Sequence, residues 1–280
     1  HLLSYVSIAL AVPHQFLQGE TFRGMGAAWW FWFALWVGSG SAFLFWRVVK
    51  PVVVNRRHRL TVSALRRESD GSITVTLAGR AVRSLGAQSG QFIGIAFGRL
   101  AFAREMHPYS LSAAPGDTLR VTVKPLGDAS ARIASLKVGT AAWIEGPLGI
   151  FTHGSRSGRD LVLIGAGIGV SPLRSLLEDA PEGGRISVVL RGRSRDEVPL
   201  LDEIESLARK RRASYALLAG GRGRTWGTAD REVTLVGAIA RPHDTDVFIC
   251  GPHEWGRMVQ ADALAAGVPK EAIHREEFAW

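Results

Sequence analysis

The sequence GAGIGVSP, residues 165–172, has the composition of a phosphate-binding turn. Glycines at every second position let the backbone approach a pyrophosphate, and a helix starting here would point free N–H groups at it. Four apolar residues, 161–164, precede the run, as a buried strand would. Glycine-rich turns also occur between ordinary strands and helices, so the context matters. The residues that we expect to contact a dinucleotide are Gly165, Gly167, Gly169, Ser171 and Pro172.

Two arginines follow the next predicted strand, where a dinucleotide-binding fold selects its nucleotide. An acidic residue at this place holds the ribose hydroxyls of NAD, whereas an arginine accommodates the 2′-phosphate of NADP. Arg191 and Arg193 stand here, and the first acid after them is Asp196. The pattern favours NADPH, with NADH possible. The alternative is that both are ordinary surface arginines.

Three further short motifs are HPYS at residues 107–110, GPLG at 146–149 and CGP at 250–252. Cys250 is the single cysteine, which excludes an internal disulfide framework and a CxxC metal site. It ends an apolar run, where a buried structural thiol is the usual interpretation. No neighbouring base would make it a nucleophile.

The elements around these motifs predict two folded domains. Residues 58–154 contain short runs of period two separated by Gly and Asp turns, which indicates an antiparallel β-barrel with one short helix over residues 129–136. The predicted strands of the barrel are residues 60–65, 73–77, 91–95, 119–123 and 142–144.

From residue 158 to residue 280, apolar strands alternate with helices. This alternation predicts an α/β domain with a parallel sheet and helices on both faces. Its predicted strands are residues 161–164, 186–190, 215–218 and 247–250, with helices up to residue 177 and over residues 200–210.

The first 46 residues differ from the rest of the chain. Residues 24–46 carry no charge and contain five of the nine tryptophans, and residues 2–19 are also uncharged. About 20 apolar residues cross a bilayer, and aromatic residues favour its interfaces. We therefore expect two antiparallel transmembrane helices joined by a polar loop at residues 18–23, then a linker over residues 47–57. A buried soluble hairpin would have to hide an uninterrupted apolar face.

The net charge of +9 is partly explained by basic residues that follow the second apolar segment. Such a flank fits the cytoplasmic side of a membrane and contact with anionic lipid. No nucleic-acid-binding motif accompanies the charge, so we expect no nucleic-acid partner. The chain opens without Met on apolar sequence and lacks the basic start of a signal peptide, which suggests a piece of a longer membrane protein. The basic flank consists of Arg47, Lys50, Arg56, Arg57 and Arg59.

In order along the chain, the predicted barrel, the HPYS, GPLG, glycine-run and CGP motifs, and a terminal aromatic residue resemble the ferredoxin–NADP reductase superfamily over about residues 58–280. Each motif is weak alone, and the ordered set is specific. The resemblance implies an enzyme with an FAD-binding barrel and an NAD(P)H-binding α/β domain, which passes a hydride from nicotinamide to flavin. Leu148 departs from the aromatic residue common in the GPLG loop, which affects local packing.

The resemblance also assigns roles at the reacting rings. It implies that Tyr109 stacks on the isoalloxazine ring and that Ser110 hydrogen-bonds near its reactive nitrogen. Cys250 would face the nicotinamide carbon that gives up the hydride. The neighbours that complete these two segments are His107, Pro108, Gly251 and Pro252.

Other assignments concern the rest of the flavin. By resemblance, Lys124, Gly127 and Ser130 hold its pyrophosphate. An aromatic residue at the end of the chain, Phe278 or Trp280, would cover its second face and move aside for nicotinamide.

His107 stands where the superfamily usually has arginine, and this variant is similar to that of ferric reductases and NADPH oxidases. That branch carries two histidines on one transmembrane helix, each an axial ligand of a different haem b. The resemblance implies that His1 and His14 are these haem ligands. A straight helix would place them roughly 140° apart, although Pro13 can distort its last turns. Ordinary terminal and interfacial histidines are the alternative.

The implied function is electron transfer from NADPH through FAD and haem across the cell membrane to ferric iron or oxygen, with both nucleotide-binding domains in the cytoplasm. The expected partners are membrane lipid, the missing N-terminal transmembrane helices, and a small-molecule or metal acceptor. The alternative is a membrane-anchored NAD(P)H:flavin reductase that feeds a separate iron–sulfur or haem protein. A haem-binding membrane protein with a non-catalytic cytosolic module is disfavoured, because Tyr109, Ser110 and the glycine run are all present.

Overall fold

The computed structural model describes residues 2–18, 26–98, 106–125, 132–223 and 225–277. The chain divides into an N-terminal helical unit, His1–Arg56, and a larger unit, Arg57–Trp280. The division lies beside the position where the sequence changes from long apolar runs to short runs of period two.

The N-terminal unit begins with helices α1, Leu2–Gln18, and α2, Ala27–Leu44. The loop predicted between them lies outside the described residues after Gln18. We expected two membrane-spanning helices, but among the described residues one continuous helix, Ala27–His58, is long and apolar enough to cross a membrane. Helix α1 has 17 residues, a rise of about 26 Å. This is shorter than a hydrocarbon layer of about 30 Å.

The linker expected over residues 47–57 is helical in the structure. A π-helical turn, Phe45–Val49, follows α2 and leads into α3, Lys50–His58. Pro51 has no N–H, and in a regular α-helix its ring would clash with the carbonyl four residues earlier. The wider turn, in which Lys50 N–H bonds to the Phe45 carbonyl, brings the helix past this proline. Proline and arginine suggested a linker, but the π-helical turn lets the helix continue without a clash at the Pro51 ring.

Six antiparallel strands form the barrel. They make two three-stranded sheets, in the orders β1-β2-β5 and β4-β3-β6. Bridges from Thr61 to Ala141 and from Leu111 to Val121 join the sheets at both edges, which closes the six strands into a barrel. The strands are β1 (Thr61–Arg67), β2 (Ile73–Ala78), β3 (Phe92–Phe97), β4 (His107–Ser110), β5 (Thr118–Val123) and β6 (Ala142–Leu148).

The barrel interior is filled by aliphatic side chains from alternate strand positions. Val75, Ile93 and Val121 are all buried in this core. Of the short helix predicted over residues 129–136, residues 129–131 lie outside the described part, and Arg132 and Ile133 are helical.

The remainder of the chain is an α/β domain with a five-stranded parallel sheet in the order β11-β10-β7-β8-β9. Helices α4 and α5 pack on one face and α6 on the other, because odd and even positions of β7, β8 and β10 both carry apolar residues. The elements are β7 (Asp160–Ala166), α4 (Val170–Glu178), β8 (Ile186–Gly192), α5 (Leu201–Lys210), β9 (Ser214–Ala219), β10 (Thr245–Gly251), α6 (His253–Ala265) and β11 (Ile273–Glu277).

Strand β11 was absent from the sequence-based prediction. Its sequence, IHREE, has one apolar residue, and its strand character comes from parallel pairing with β10 at the edge of the sheet. The carboxyl ends of all five described strands lie on the same side of the domain, which is the side where ligands bind in other parallel sheets. The loops after β7, β8 and β10, which carry the three predicted nucleotide motifs, therefore meet on that side.

A buried carboxylate fixes the passage from the barrel to the sheet. Asp246, in β10, accepts a hydrogen bond from Gly158 N–H at 2.7 Å and contacts His274 Nε2 at 2.8 Å. The imidazole of His274 stacks on Phe248, and Phe248 meets Phe151 edge to face. These contacts tie β10 and β11 to the segment that leaves the barrel, and they provide the partners that a buried carboxylate needs.

Candidate functional site

Three glycines lie at the end of β7 and in the turn that follows it, and each has different surroundings. Gly167 has φ of +57°, and a Cβ there would have no atom of the described residues within 4 Å, which leaves room for a ligand on that side. A Cβ on Gly169 would lie 2.3 Å from the Cys250 carbonyl oxygen, and one on Gly165 would lie 2.6 Å from the Leu173 side chain. One glycine therefore permits the turn, and the other two permit close packing.

Helix α4 begins directly after this turn, with Gly169 as its N-cap. Its first N–H groups have no intrahelical partner and favour an anion. The hydroxyl Oγ of Ser171, in the first turn, is buried and has no hydrogen-bond partner among the described residues. The predicted phosphate-binding residues thus form one cradle with a free donor.

The end of β10 adjoins this cradle. The Gly169 backbone lies against Cys250 and Gly251. A Cβ on Gly251 would lie 2.8 Å from the Trp255 ring. Pro252 is exposed next to them. The structure therefore brings the glycine run and the CGP motif together, although 78 residues separate Cys250 from Pro172 in the sequence.

Cys250 itself is fully buried in the core between the sheet and α4. Burial raises the pKa of its thiol well above the usual range, and the negative charge of Glu276 acts in the same direction. A thiol held neutral is a poor nucleophile. The burial agrees with the interpretation of Cys250 as a structural thiol, and its role in facing the nicotinamide stays a prediction.

Glu276 is a site residue that the sequence analysis did not identify. It is paired in register with Cys250 across β10 and β11, so the two side chains lie on the same face of the sheet. Burial raises the pKa of Glu276 to about 7. Its Oε2 atom is buried and has no hydrogen-bond partner among the described residues. Only the unpredicted strand β11 brings this carboxyl to the site, since nothing local in IHREE marks it.

The HPYS motif forms strand β4, which pairs with β3 from Phe92 to Ile95. Ser110 is buried, and its Oγ has no hydrogen-bond partner among the described residues. Tyr109 packs partly against the barrel core, and burial raises its pKa. His107 is half-buried and Pro108 exposed. Strand β4 thus holds a tyrosine ring and an unpaired hydroxyl at adjacent positions.

Several predicted residues cannot be placed. His1, Gly127, Ser130, Phe278 and Trp280 lie outside the described residues, so their assigned roles stay predictions. Lys124 is described, half-buried directly after β5.

The two arginines after β8 have different surroundings. Arg191 donates through Nε to the Gly227 carbonyl at 3.1 Å and through Nη2 to the Gly221 carbonyl at 2.9 Å. Arg193 is exposed. Burial lowers the pKa of Arg191, and so do the charges of Arg222 and Arg193. Arg222 is therefore a third nearby cation, and Arg191 is committed in part to holding the loop that follows β9.

The predicted haem ligand His14 lies exposed in α1. Within the described residues, no group of three or more His, Cys, Asp or Glu side chains could hold a metal ion. A haem iron takes only two axial ligands from the protein, so the absence of a three-residue group does not test whether His14 is one of them.

Within the described part of the chain, three buried polar atoms at this site have no hydrogen-bond partner: Ser110 Oγ, Ser171 Oγ and Glu276 Oε2. An unpaired buried polar group costs about 1–3 kcal/mol, so most find partners. Two of the three were predicted from sequence to contact flavin or dinucleotide. Together with the open side of Gly167, they fit the polar groups of a flavin and a nicotinamide dinucleotide.

No protein-family model matches the chain, but individual proteins are similar to it. The ferredoxin reductase component of 3-ketosteroid-9-alpha-monooxygenase from Rhodococcus rhodochrous is 30% identical over 181 residues, 61% of this chain and 50% of that protein. Ferredoxin–NADP reductase B from Sorangium cellulosum is 28% identical over 190 residues, 61% of this chain and 77% of that protein. The chain thus spans half the length of the Rhodococcus relative.

Among solved structures, the flavohaem-like FAD/NAD-binding domain of nitric oxide dioxygenase from Vibrio cholerae is 27% identical, with a TM-score of 0.66. The match covers 80% of this chain and 99% of that domain. This chain belongs to the ferredoxin–NADP reductase-like FAD/NAD-binding superfamily. Its matched part is an NAD(P)H-dependent flavin oxidoreductase, and its cofactors there are FAD and NAD(P)H.

The buried carboxyl of Glu276 predicts a pH-dependent stability. Because its pKa is about 7 in the folded protein against 4.5 ordinarily, folding favours the protonated form. Stability should therefore fall as pH rises from about 4.5 to above 7, by up to about 3 kcal/mol. In Glu276→Gln, the stability should not fall over this pH range. The melting temperature of the variant minus that of wild type should therefore be several degrees higher at pH 8 than at pH 5.

The measurement is thermal unfolding followed by circular dichroism at both pH values, at one fixed FAD concentration. Glu271→Gln, which changes an exposed carboxyl at the start of the same segment, is the control and should behave as wild type. The same pH dependence in Glu276→Gln and wild type would show that Glu276 is not the group responsible.

Proposed function

We propose that this chain is the reductase part of a membrane flavoprotein, which takes hydride from NADPH onto FAD and passes single electrons through haem to ferric iron or oxygen. The observation that carries the hydride step is the meeting of the glycine turn with the end of β10, where Gly169 lies against Cys250. This contact puts the phosphate cradle beside the CGP motif at the end of β10, the two segments that a nicotinamide dinucleotide would have to contact together.

The chain's own residues orient the reactants. The turn at Gly167 and the N-terminus of α4 bind the dinucleotide pyrophosphate. The Ser110 hydroxyl is buried and has no partner among the residues that the structure describes, so it is available to hydrogen-bond the flavin ring, and Tyr109 is its neighbour in β4. Bound FAD supplies the chemistry of accepting two electrons as hydride and releasing them one at a time.

The preference for NADPH rests on positive charge near the carboxyl end of β8. Arg193 is exposed there, and Arg222 lies close enough to affect the pKa of Arg191. A 2′-phosphate pairs with guanidinium groups through charge-assisted hydrogen bonds. Because Arg191 also binds loop carbonyls, Arg193 and Arg222 are the freer candidates for that phosphate.

The membrane part of the proposal is supported by the apolar helix that ends at His58, two residues before Leu60 enters the barrel core. The basic flank that includes Arg56 and Arg57 favours a cytoplasmic reductase. His107, in place of the usual arginine, and His14, in an apolar helix, support the ferric reductase and NADPH oxidase branch with haem b in the whole protein.

A second candidate is a membrane-anchored reductase that feeds a separate iron–sulfur or haem protein. Two observations favour it: one described helix, and not two, qualifies as a membrane span, and the Rhodococcus relative is named as a ferredoxin reductase component. The haem content of the whole protein distinguishes the two candidates.

The first prediction concerns electron flow in the longest natural form of the protein. Under anaerobic conditions, NADPH should bleach the flavin absorbance, and a reduced b-type haem band should follow. Flavin bleaching without a haem band would select the second candidate. A protein that binds no flavin would contradict both.

The second prediction concerns nucleotide choice. Arg193→Ala with Arg222→Ala should raise the KM for NADPH by about tenfold or more, because charge-assisted hydrogen bonds to the 2′-phosphate are lost. The KM for NADH should change little. Arg195→Ala is the control, since that arginine pairs with Glu205. Adding Arg191→Ala should also weaken NADH binding, because the loop after β9 loses its contacts with Arg191. An equal rise in KM for NADPH and NADH in the Arg193→Ala, Arg222→Ala variant would refute the preference for NADPH.

The third prediction concerns the membrane. The full chain should stay in the membrane pellet after an alkaline carbonate wash. Leu35→Arg with Gly38→Arg should move it to the supernatant, since each central arginine opposes insertion by about 3 kcal/mol. Protease should digest residues 58–280 in inverted vesicles but not in intact cells. Release of the wild-type chain by carbonate would contradict a membrane span.

A further inference from the structure

A network of charges joins the barrel to the α/β domain. Its centre is Glu203, in the first turn of α5. The carboxylate of Glu203 accepts hydrogen bonds from Arg120 Nη2 and Arg174 Nε, each at 2.8 Å, and from Arg66. Arg66 and Arg120 belong to the barrel strands β1 and β5, whereas Arg174 belongs to α4. One carboxylate therefore ties two strands of one domain to two helices of the other.

A second carboxylate extends the network. Glu178, at the end of α4, accepts a hydrogen bond from the backbone N–H of Ala114 at 2.6 Å. Arg174 also donates to Glu178, so its guanidinium bridges the two carboxylates. The Arg174 side chain is 8% exposed and that of Arg120 is 16% exposed. These charges are partly desolvated, unlike surface ion pairs, which contribute little.

The network ends on the two segments that hold the reactants. Arg120 donates from Nη2 to the Ser112 carbonyl at 2.6 Å, and Ser112 is two residues beyond Ser110. Ala114, which binds Glu178, continues the same segment. At the other end, α4 is the helix whose first turn forms the phosphate cradle. The charges thus connect the segment that follows Ser110, which we expect to contact the flavin, to helix α4, which we expect to bind the dinucleotide.

The charges in this network stay ionised. Burial opposes ionisation of Glu203, but hydrogen bonds from Arg120 and Arg66 and the nearby positive charges outweigh it and lower its pKa to about 2. Removing the carboxylate would leave several guanidinium groups facing one another, and a buried charge without its partner is strongly unfavourable. The two domains would then relax relative to each other.

We propose that Glu203 is a positioning residue for hydride transfer, which holds the Ser110 segment and helix α4 at the separation that the reaction needs. The inference rests on the proposed NADPH-to-FAD step. Misplacement of reacting groups by about 1 Å can lower a rate by about 100-fold. A network that only stabilised the fold would affect unfolding and leave the rate per bound flavin unchanged.

The test compares Glu203→Gln with Glu205→Gln in the full chain with bound FAD. Glu205 is on the same helix and pairs with Arg195 inside the α/β domain, so it is a matched control. Anaerobic stopped-flow with NADPH gives the limiting rate of flavin reduction per bound flavin and the Kd for NADPH. Glu203→Gln should lower the limiting rate at least about tenfold with a Kd within about threefold of wild type, and Glu205→Gln should change neither.

A second readout does not depend on activity. Amide hydrogen exchange over residues 111–116 should become faster in Glu203→Gln and stay unchanged in Glu205→Gln, because the Ala114 N–H loses its fixed acceptor geometry. If Glu203→Gln fails to retain FAD, Glu178→Ala removes the Ala114 contact while leaving Glu203 in place, and it should lower the limiting rate in the same way.

Faster exchange with a limiting rate within twofold of wild type would overturn the proposal and leave Glu203 a structural residue. Unchanged exchange and rate would also overturn it. A wild-type protein whose bound flavin is not reduced by NADPH would refute the proposed function, and the inference with it, which separates the two kinds of failure.

Discussion

The backbone of Gly169 touches the Cys250 carbonyl so closely that a Cβ atom there would be 2.3 Å from the oxygen. This contact requires β7 and β10 to be neighbours in the sheet, which their parallel pairing ensures. It also brings the phosphate cradle beside the end of β10, where Glu276 arrives on the next strand. One backbone contact therefore holds together the three segments from which the proposed dinucleotide site is built.

Polar groups in this protein fall into two classes that differ in their partners. Asp246 and Glu203 have several hydrogen-bond donors each, and they lie where the barrel meets the α/β domain. Ser110, Ser171 and Glu276 keep a buried polar atom without a partner in the described part of the chain. Well-paired charges make a stiff frame, whereas unpaired groups inside that frame are suited to a polar ligand.

The N-terminal helix shows how a local signal can mislead. Pro51 and the surrounding arginines suggested that the apolar helix ends near Trp46, but the helix continues to His58. A single π-helical turn before Pro51 accommodates the missing N–H and the ring. The helix therefore passes through Pro51, although the valines on either side of it have low helix propensity.

Much of the fold follows from local pattern. Alternating apolar residues marked the barrel strands, mainly apolar runs marked β7, β8, β9 and β10, and the glycine run marked the turn before α4. Each of these signals depends on residues within one element, because the side-chain period of a strand or helix is a local property. The HPYS and CGP motifs could be named in the same way, since their chemistry is carried by neighbouring residues.

The tertiary structure decided which residues that are distant in the sequence contact one another. Strand β11 has charged side chains and exists because β10 offers it a hydrogen-bonding edge, so neither the strand nor Glu276 could be inferred locally. Arg191 looked free for a phosphate, but the loop after β9 brings carbonyls to it. Arg66 meets Glu203 across 137 positions. Which charges pair depends on how whole domains pack, and the spacing of residues along one segment does not contain that information.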